Sequence, residues 1–188
     1  MKKIITAALL VLIALGASAQ GRYAIKSGIA KTKTTVDGHE TFGTHYFEDY
    51  GRRESVKQTM DIPGLVSYDY YTITIGDKAW MVTLNSGKRS VKGFDNPAPD
   101  LTFLSPGQDV MAKYNMKYLG EETVLGKPCK KYSYELKQNR KTVLWTVSAY
   151  KGFPLKTVVK NGKKESVILV TELKENVSVP KDVFNTSK

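Results

Sequence analysis

From residue 22 onward, apolar and aromatic residues recur mostly at every second position, and turn-forming pairs interrupt them about every ten to twelve residues. Period-two alternation marks strands with one dry face and one wet face, and helical periodicity is almost absent. The reversals fall at Asp37-Gly38, Tyr50-Gly51, Pro63-Gly64, Gly76-Asp77, Ser86-Gly87, Leu125-Gly126, Lys151-Gly152 and Asn161-Gly162. Between them the pattern predicts strands near 22–35, 39–49, 52–61, 67–75, 78–85, 88–94, 116–124, 128–138, 141–150, 154–161 and 164–176. The fold class is mainly β: a long antiparallel meander of about eleven strands, more than an open sheet carries without curling.

Several strands show which way they face. Tyr132, Tyr134 and Leu136 alternate with Lys131, Ser133, Glu135 and Lys137, and Val143, Trp145 and Val147 alternate with Leu144, Thr146 and Ser148. A curled sheet with one apolar face must cover it with a second sheet, a helix or a ligand. The segment 93–116 is the one irregular stretch. Pro97 and Pro99 withhold ladder donors there, and Ser105-Pro106-Gly107-Gln108 has the serine, proline and glutamine spacing of a capping box. One short helix is predicted over about 106–115, with Val110, Met111 and Tyr114 on one side. A helix of that length is unstable alone in water, so this side must dock on the sheet, either as a structural plug or as a lid over a ligand cavity.

The first nineteen residues are read differently. Lys2 and Lys3, the apolar run Ile4 to Leu15 and the Ala17-Ser18-Ala19 cleavage pattern make 1–19 a secretory signal peptide. No cysteine stands at the cleavage point to take a lipid anchor. The expected product is a single domain, 20–188, exported, periplasmic and soluble.

Cys129 is the only cysteine, so no internal disulfide is possible and a buried, inert thiol is expected. The formal charge of +11 falls to +9 without Lys2 and Lys3. Eleven of the cations lie between Thr123 and Lys164 against a single acid, Glu135. Such a field favours anionic partners, and for an exported chain these are membrane surface or acidic glycan, with no nucleic acid. Lys130, Lys131, Lys160 and Lys163 are the candidate contacts. A merely solubilising sheet face fits the same charge.

Catalytic constellations are missing. His39 and His45 lie six residues apart on one predicted strand, about 20 Å at ~3.3 Å per residue, too far to share a metal. There is no G-x-S-x-G elbow, no glycine-rich phosphate loop and no grouping of metal ligands. Glu48-Asp49 and Glu121-Glu122 point to opposite strand faces and do not form a glycosidase-type pair. No catalytic residue, cofactor or metal is expected, and the chain reads as a non-enzyme.

Four stretches carry a resemblance. They are Tyr23-Ala24-Ile25-Lys26-Ser27-Gly28 directly after the signal peptide, Tyr46-Phe47-Glu48-Asp49-Tyr50-Gly51, the run from Gly120 to Tyr132 with Leu125-Gly126-Lys127-Pro128-Cys129 at its centre, and Val179-Pro180-Lys181-Asp182-Val183-Phe184. In this layout the chain resembles exported proteins of Bacteroidetes-type bacteria that are similar to the outer-membrane lipoprotein-sorting carriers. The resemblance implies an unclosed antiparallel half-barrel of about eleven strands, covered by helices, whose cavity holds the acyl chains of a lipoprotein. Those carriers begin with an N-terminal helix, whereas this chain passes from Gln20 into a strand within a few residues.

Two readings of function follow. In the first, the protein is a lipid or hydrophobic-ligand carrier. Its cavity would be lined by Phe42, Tyr46, Trp80, Val82, Met111, Tyr132, Tyr134 and Trp145, its partner would be a lipid or an acylated protein, and it would act as a monomer. In the second, side chains fill the interior, and the basic sheet face binds glycan, membrane or protein as a scaffold of the cell envelope. An exported hydrolase rests on nothing beyond His39 and His45.

Overall fold

The computed structural model describes residues 21–187 apart from 61–67, 86, 139–140 and 163. The proposed signal peptide, the Pro63-Gly64 turn and Lys163 lie outside the described residues. Eleven strands form one antiparallel sheet: β1 (Gly28–Val36), β2 (His39–Glu48), β3 (Arg53–Met60), β4 (Tyr68–Ile75), β5 (Lys78–Asn85), β6 (Lys88–Asp95), β7 (Lys117–Val124), β8 (Lys127–Gln138), β9 (Lys141–Tyr150), β10 (Phe153–Asn161) and β11 (Lys164–Glu175). Most boundaries fall within a residue or two of those that the alternation predicts, because the side-chain period fixes where each strand turns.

The order is β6-β5-β4-β3-β2-β1-β11-β10-β9-β8-β7, so the sheet is two meanders rather than one. β1 pairs with β11 from Gly28↔Glu175 to Val36↔Ser166. β6 and β7, neighbours in sequence, therefore stand at opposite edges, and the connecting segment must cross a whole face. That crossing makes it the cover. The predicted first strand also starts late. Residues 22–27 are held outside the ladder, with the Arg22 and Tyr23 amides donating to the Tyr50 carbonyl (2.8 and 3.1 Å) and the Ala24 amide to the Lys151 carbonyl (2.9 Å).

The crossing segment contains one helix, α1 (Gln108–Lys113), six residues long rather than the predicted ten. Gly107 occupies the N-cap position without a side-chain cap, and the Ser105 hydroxyl donates to the Leu104 carbonyl, so the capping box does not form. Ala98, Leu101, Phe103, Val110, Tyr114 and Met116 from this segment pack on Tyr132, Tyr134, Leu136, Val143, Trp145 and Val147 of β8 and β9. A second cluster gathers Tyr23, Phe47, Cys129, Phe153 and Leu155; there Phe47 stacks on Phe153 at 4.7 Å between ring centroids.

The opposite face is covered by the C-terminal segment. Val179, Val183 and Phe184 pack on Ile29 and Tyr46. The Arg53 guanidinium lies 4.7 Å from the Phe184 ring centre, and Arg89 donates to the Asn185 and Ser187 carbonyls. Among the described residues, no helix is long and apolar enough to cross a membrane.

Candidate functional site

Strand register decides where the sequence-predicted cavity residues stand. Tyr46 pairs with Ser55, Ser55 with Ile73 and Ile73 with Trp80, so Tyr46 and Trp80 share a face, and Phe42 and Val82 share it by alternation. This is the face that the C-terminal segment crosses: Val82 lines a cleft of about 200 Å³ with Val183 and Asn185, while Phe42 is 63% exposed. Met111, Tyr132, Tyr134 and Trp145 lie on the other face, in the core beneath the crossing segment. The eight residues thus form two groups of four on opposite sides of the sheet. Alternation within a strand says which residues travel together, but it does not say which face of a distant strand they join.

Beside the plug a groove of about 310 Å³ opens between Phe103, Leu104, Pro128, Cys129, Ala149 and Gly152, with Glu121, Lys130 and Lys151 around it. Phe103 and Ala149 also belong to the core under the plug, so the groove and that core share a wall. The wall is drawn tight by Gly152. It has φ +83°, and a Cβ there would stand 2.4 Å from the Arg22 carbonyl oxygen and 2.9 Å from Leu104 Cβ. Any other residue would push the β9–β10 turn away from both. Burial raises the Cys129 thiol above its ordinary value, which keeps it protonated in this wall.

Behind the groove lies a charged cluster that periodicity does not reveal. Arg22 and Glu54 are both 2% exposed, and Arg22 Nη1 stands 2.5 Å from Glu54 Oε1. The Tyr23 hydroxyl donates to the same oxygen at 2.7 Å, and His45 Nε2 lies 3.0 Å from Oε2. Burial pushes the Glu54 carboxyl up, yet the Arg22 charge, with His45 and Tyr23, outweighs burial and holds it below its ordinary 4.5. Burial and then the Glu54 charge drive the Tyr23 hydroxyl well above its ordinary value. Removing one partner of such a pair strands the other charge in the interior, at a cost of about 3–5 kcal/mol. Among the described residues, Arg22 Nε and Trp145 Nε1 are buried nitrogens without an acceptor, as Ser55 Oγ is an unpartnered hydroxyl on the opposite face.

His45 thus has an acid partner, contributed by β3 nine residues on, which sequence adjacency does not show. Among the described residues, no group of three His, Cys, Asp or Glu could hold a metal ion. His39 is exposed at the far end of β2.

The basic block is also redistributed by folding. Lys127 and Lys151 pair with Glu175 at 2.8 and 3.0 Å, Lys131 and Lys156 with Glu122 at 3.4 and 3.9 Å, Lys160 with Glu165 at 3.4 Å and Lys164 with Asp37 at 2.6 Å. All of these acids come from outside residues 123–164. Of the candidate contacts, Lys131 and Lys160 are paired, while Lys130 is exposed beside the groove.

No family model and no curated protein matches the chain. Solved structures do. A chain of the MucA/MucB complex of Pseudomonas aeruginosa aligns with TM-score 0.50 and 16% identity over 86% of this chain and 56% of that one. This chain therefore spans little more than half the length of that relative. A conserved protein of Thermus thermophilus aligns with TM-score 0.52 and 14% identity, over 85% and 89% of the two chains. These likenesses show a shared fold. A putative outer membrane lipoprotein-sorting protein domain from Vibrio parahaemolyticus superposes more loosely, with TM-score 0.43 and 12% identity over 85% and 89%.

Proposed function

We propose that the protein is a non-enzymatic, exported binding protein of the periplasm that holds an acyl chain or a similar hydrophobic ligand. The observation that carries this reading is the shared wall. The groove beside the plug is lined by Phe103, Leu104, Pro128, Cys129 and Ala149, and it runs against the core of Met111, Tyr132, Tyr134 and Trp145. An acyl chain laid there gains ~25 cal/mol per Å² of apolar surface removed from water. Outward movement of the plug would extend the groove along those aromatic side chains. Lys130 at the mouth suits an anionic membrane surface or head group, and the lipid-sorting resemblance of the sequence points to the same class of ligand. Native mass spectrometry of protein purified from cells, followed by lipid extraction, tests the reading. Bound lipid is expected. A consistently empty protein that also leaves an added fluorescent fatty acid unchanged would refute it.

A second reading, a protein-binding scaffold of the cell envelope, is favoured by the edge strand β7, where Tyr118 and Leu119 are half exposed. Exposed apolar residues on an edge strand invite strand addition by a partner, and the MucA/MucB chain of similar fold is found in a protein complex. Leu119→Lys would abolish capture of such a partner while leaving lipid binding intact.

A further inference from the structure

We infer that Arg22 is the polar anchor of the ligand site, and that it selects acyl chains carrying a neutral ester or amide carbonyl over free fatty acids. This inference rests on the hydrophobic-ligand reading above and names the ligand's chemistry.

Three observations converge on Arg22. First, its guanidinium is buried but incompletely used: Nη1 is taken by Glu54, while Nε has no acceptor among the described residues. Buried donors are almost always satisfied, and the exceptions call for a partner. Second, Arg22 backs onto the groove. Its carbonyl accepts the Thr102 hydroxyl of the plug at 3.4 Å and lies against Gly152 and Leu104, both of which line the groove. The Arg22 backbone therefore borders the groove at its Gly152–Leu104 end.

Third, Arg22 already has a buried counter-charge. Glu54 supplies it, and both Glu54 oxygens are engaged, Oε1 by Arg22 and Tyr23 and Oε2 by His45. A ligand carboxylate brought to Nε would place a second negative charge beside Glu54 in a buried site, where like charges oppose each other strongly. An ester or amide carbonyl accepts the Nε–H without adding charge. On this face both unpartnered buried nitrogens, Arg22 Nε and Trp145 Nε1, are donors, which matches a ligand that only accepts.

The test measures displacement of a fluorescent acyl probe from the purified protein by a monoacylglycerol, by the ether-linked alkylglycerol of the same chain length and by the free fatty acid. The wild type is expected to favour the ester over the ether and the acid by about tenfold, the scale of one buried hydrogen bond to a charged donor. Arg22→Lys keeps the ion pair with Glu54 but lacks the Nε donor, and a protein shown by circular dichroism to be folded should lose the ester preference. Equal binding of ester and ether by the wild type, or an unchanged preference in Arg22→Lys, overturns the inference and leaves the hydrophobic-ligand reading standing. Should Arg22→Lys fail to fold, Glu54→Gln decides: it should improve fatty acid binding about tenfold relative to the ester by removing the opposing charge, and no improvement overturns the inference. Failure of all three lipids to bind refutes the hydrophobic-ligand reading itself and this inference with it.

Discussion

The Glu135 amide donates to the Tyr114 carbonyl across 2.8 Å, and this bond ties the end of the plug to β8. Tyr114 is buried, its hydroxyl donates to Asp100, and Lys113 pairs with the same carboxylate at 2.8 Å. The plug is therefore pinned at its helical end. Its other end is held too, where the Asn96 amide donates to the Asp77 carbonyl (2.8 Å) and the Asn96 side-chain amide to the Gly76 carbonyl (3.2 Å), while residues 102–104 between them are held by apolar packing and the weak Thr102 bond to Arg22, so movement would start there, beside the groove.

Acid should unfold the protein through Glu54. Its carboxyl is held below the ordinary 4.5 in the folded state, so its contribution is complete above that value and is lost as pH falls through the lower folded value. Urea midpoints of the wild type are expected to fall steeply below pH about 4.5. Glu54→Gln should flatten that dependence while costing about 3–5 kcal/mol at pH 7, because it leaves Arg22 buried without a counter-charge.

Substitutions on the two sheet faces should differ sharply. Phe103 lies 5.4 Å from Tyr134 and 6.1 Å from Tyr132 between ring centroids, within the plug core. Phe103→Ala should cost about 3–5 kcal/mol. Phe42→Ala, on the other face at 63% exposure, should stay within about 0.5 kcal/mol in the same denaturation assay.

Gly28 leaves room for an aromatic ring. A Cβ at this position would stand 2.4 Å from Phe47 Cζ and 2.8 Å from the Lys174 carbonyl oxygen. Gly28→Ala must therefore displace Phe47 from its stack on Phe153, and a loss of about 1–3 kcal/mol is expected in thermal or chemical unfolding.

Cys129 should be silent in the native protein. The thiol is 1% exposed and burial raises its ionisation above the ordinary range. Iodoacetamide at pH 8 should label it slowly in the folded state and at the rate of a free thiol in denaturant; equal rates would contradict its burial.

The strand content was open to reading because alternation and turn pairs are local: Lys78–Asn85 and Lys141–Tyr150 are bounded as the side-chain period and its glycines predict. The plug was partly legible. Two prolines and a helical signal identified the segment, but the helix is shorter, since Gly107 replaces Ser105 at the cap. The site was least legible. Arg22 sits inside a stretch that reads as strand, and its partner Glu54 stands 32 residues away; neither breaks the local pattern. The lysines of 123–164 show the same limit, because acids that meet them, such as Asp37 in the β1–β2 turn and Glu175 on β11, come from elsewhere in the chain.

By itself, then, the sequence determined that this chain is built from some eleven short amphipathic strands with one irregular cover, because a period of two and a turn need only neighbouring residues. Tertiary structure alone decided that β1 closes on β11, that β6 and β7 are thrown to opposite edges, and that Tyr46 and Tyr132 face opposite ways. These depend on which strands pair and in what register, a choice fixed by the packing of both faces at once. The burial of Arg22 against Glu54 belongs with them, for a charge is held inside a protein only by a partner that the fold brings to it.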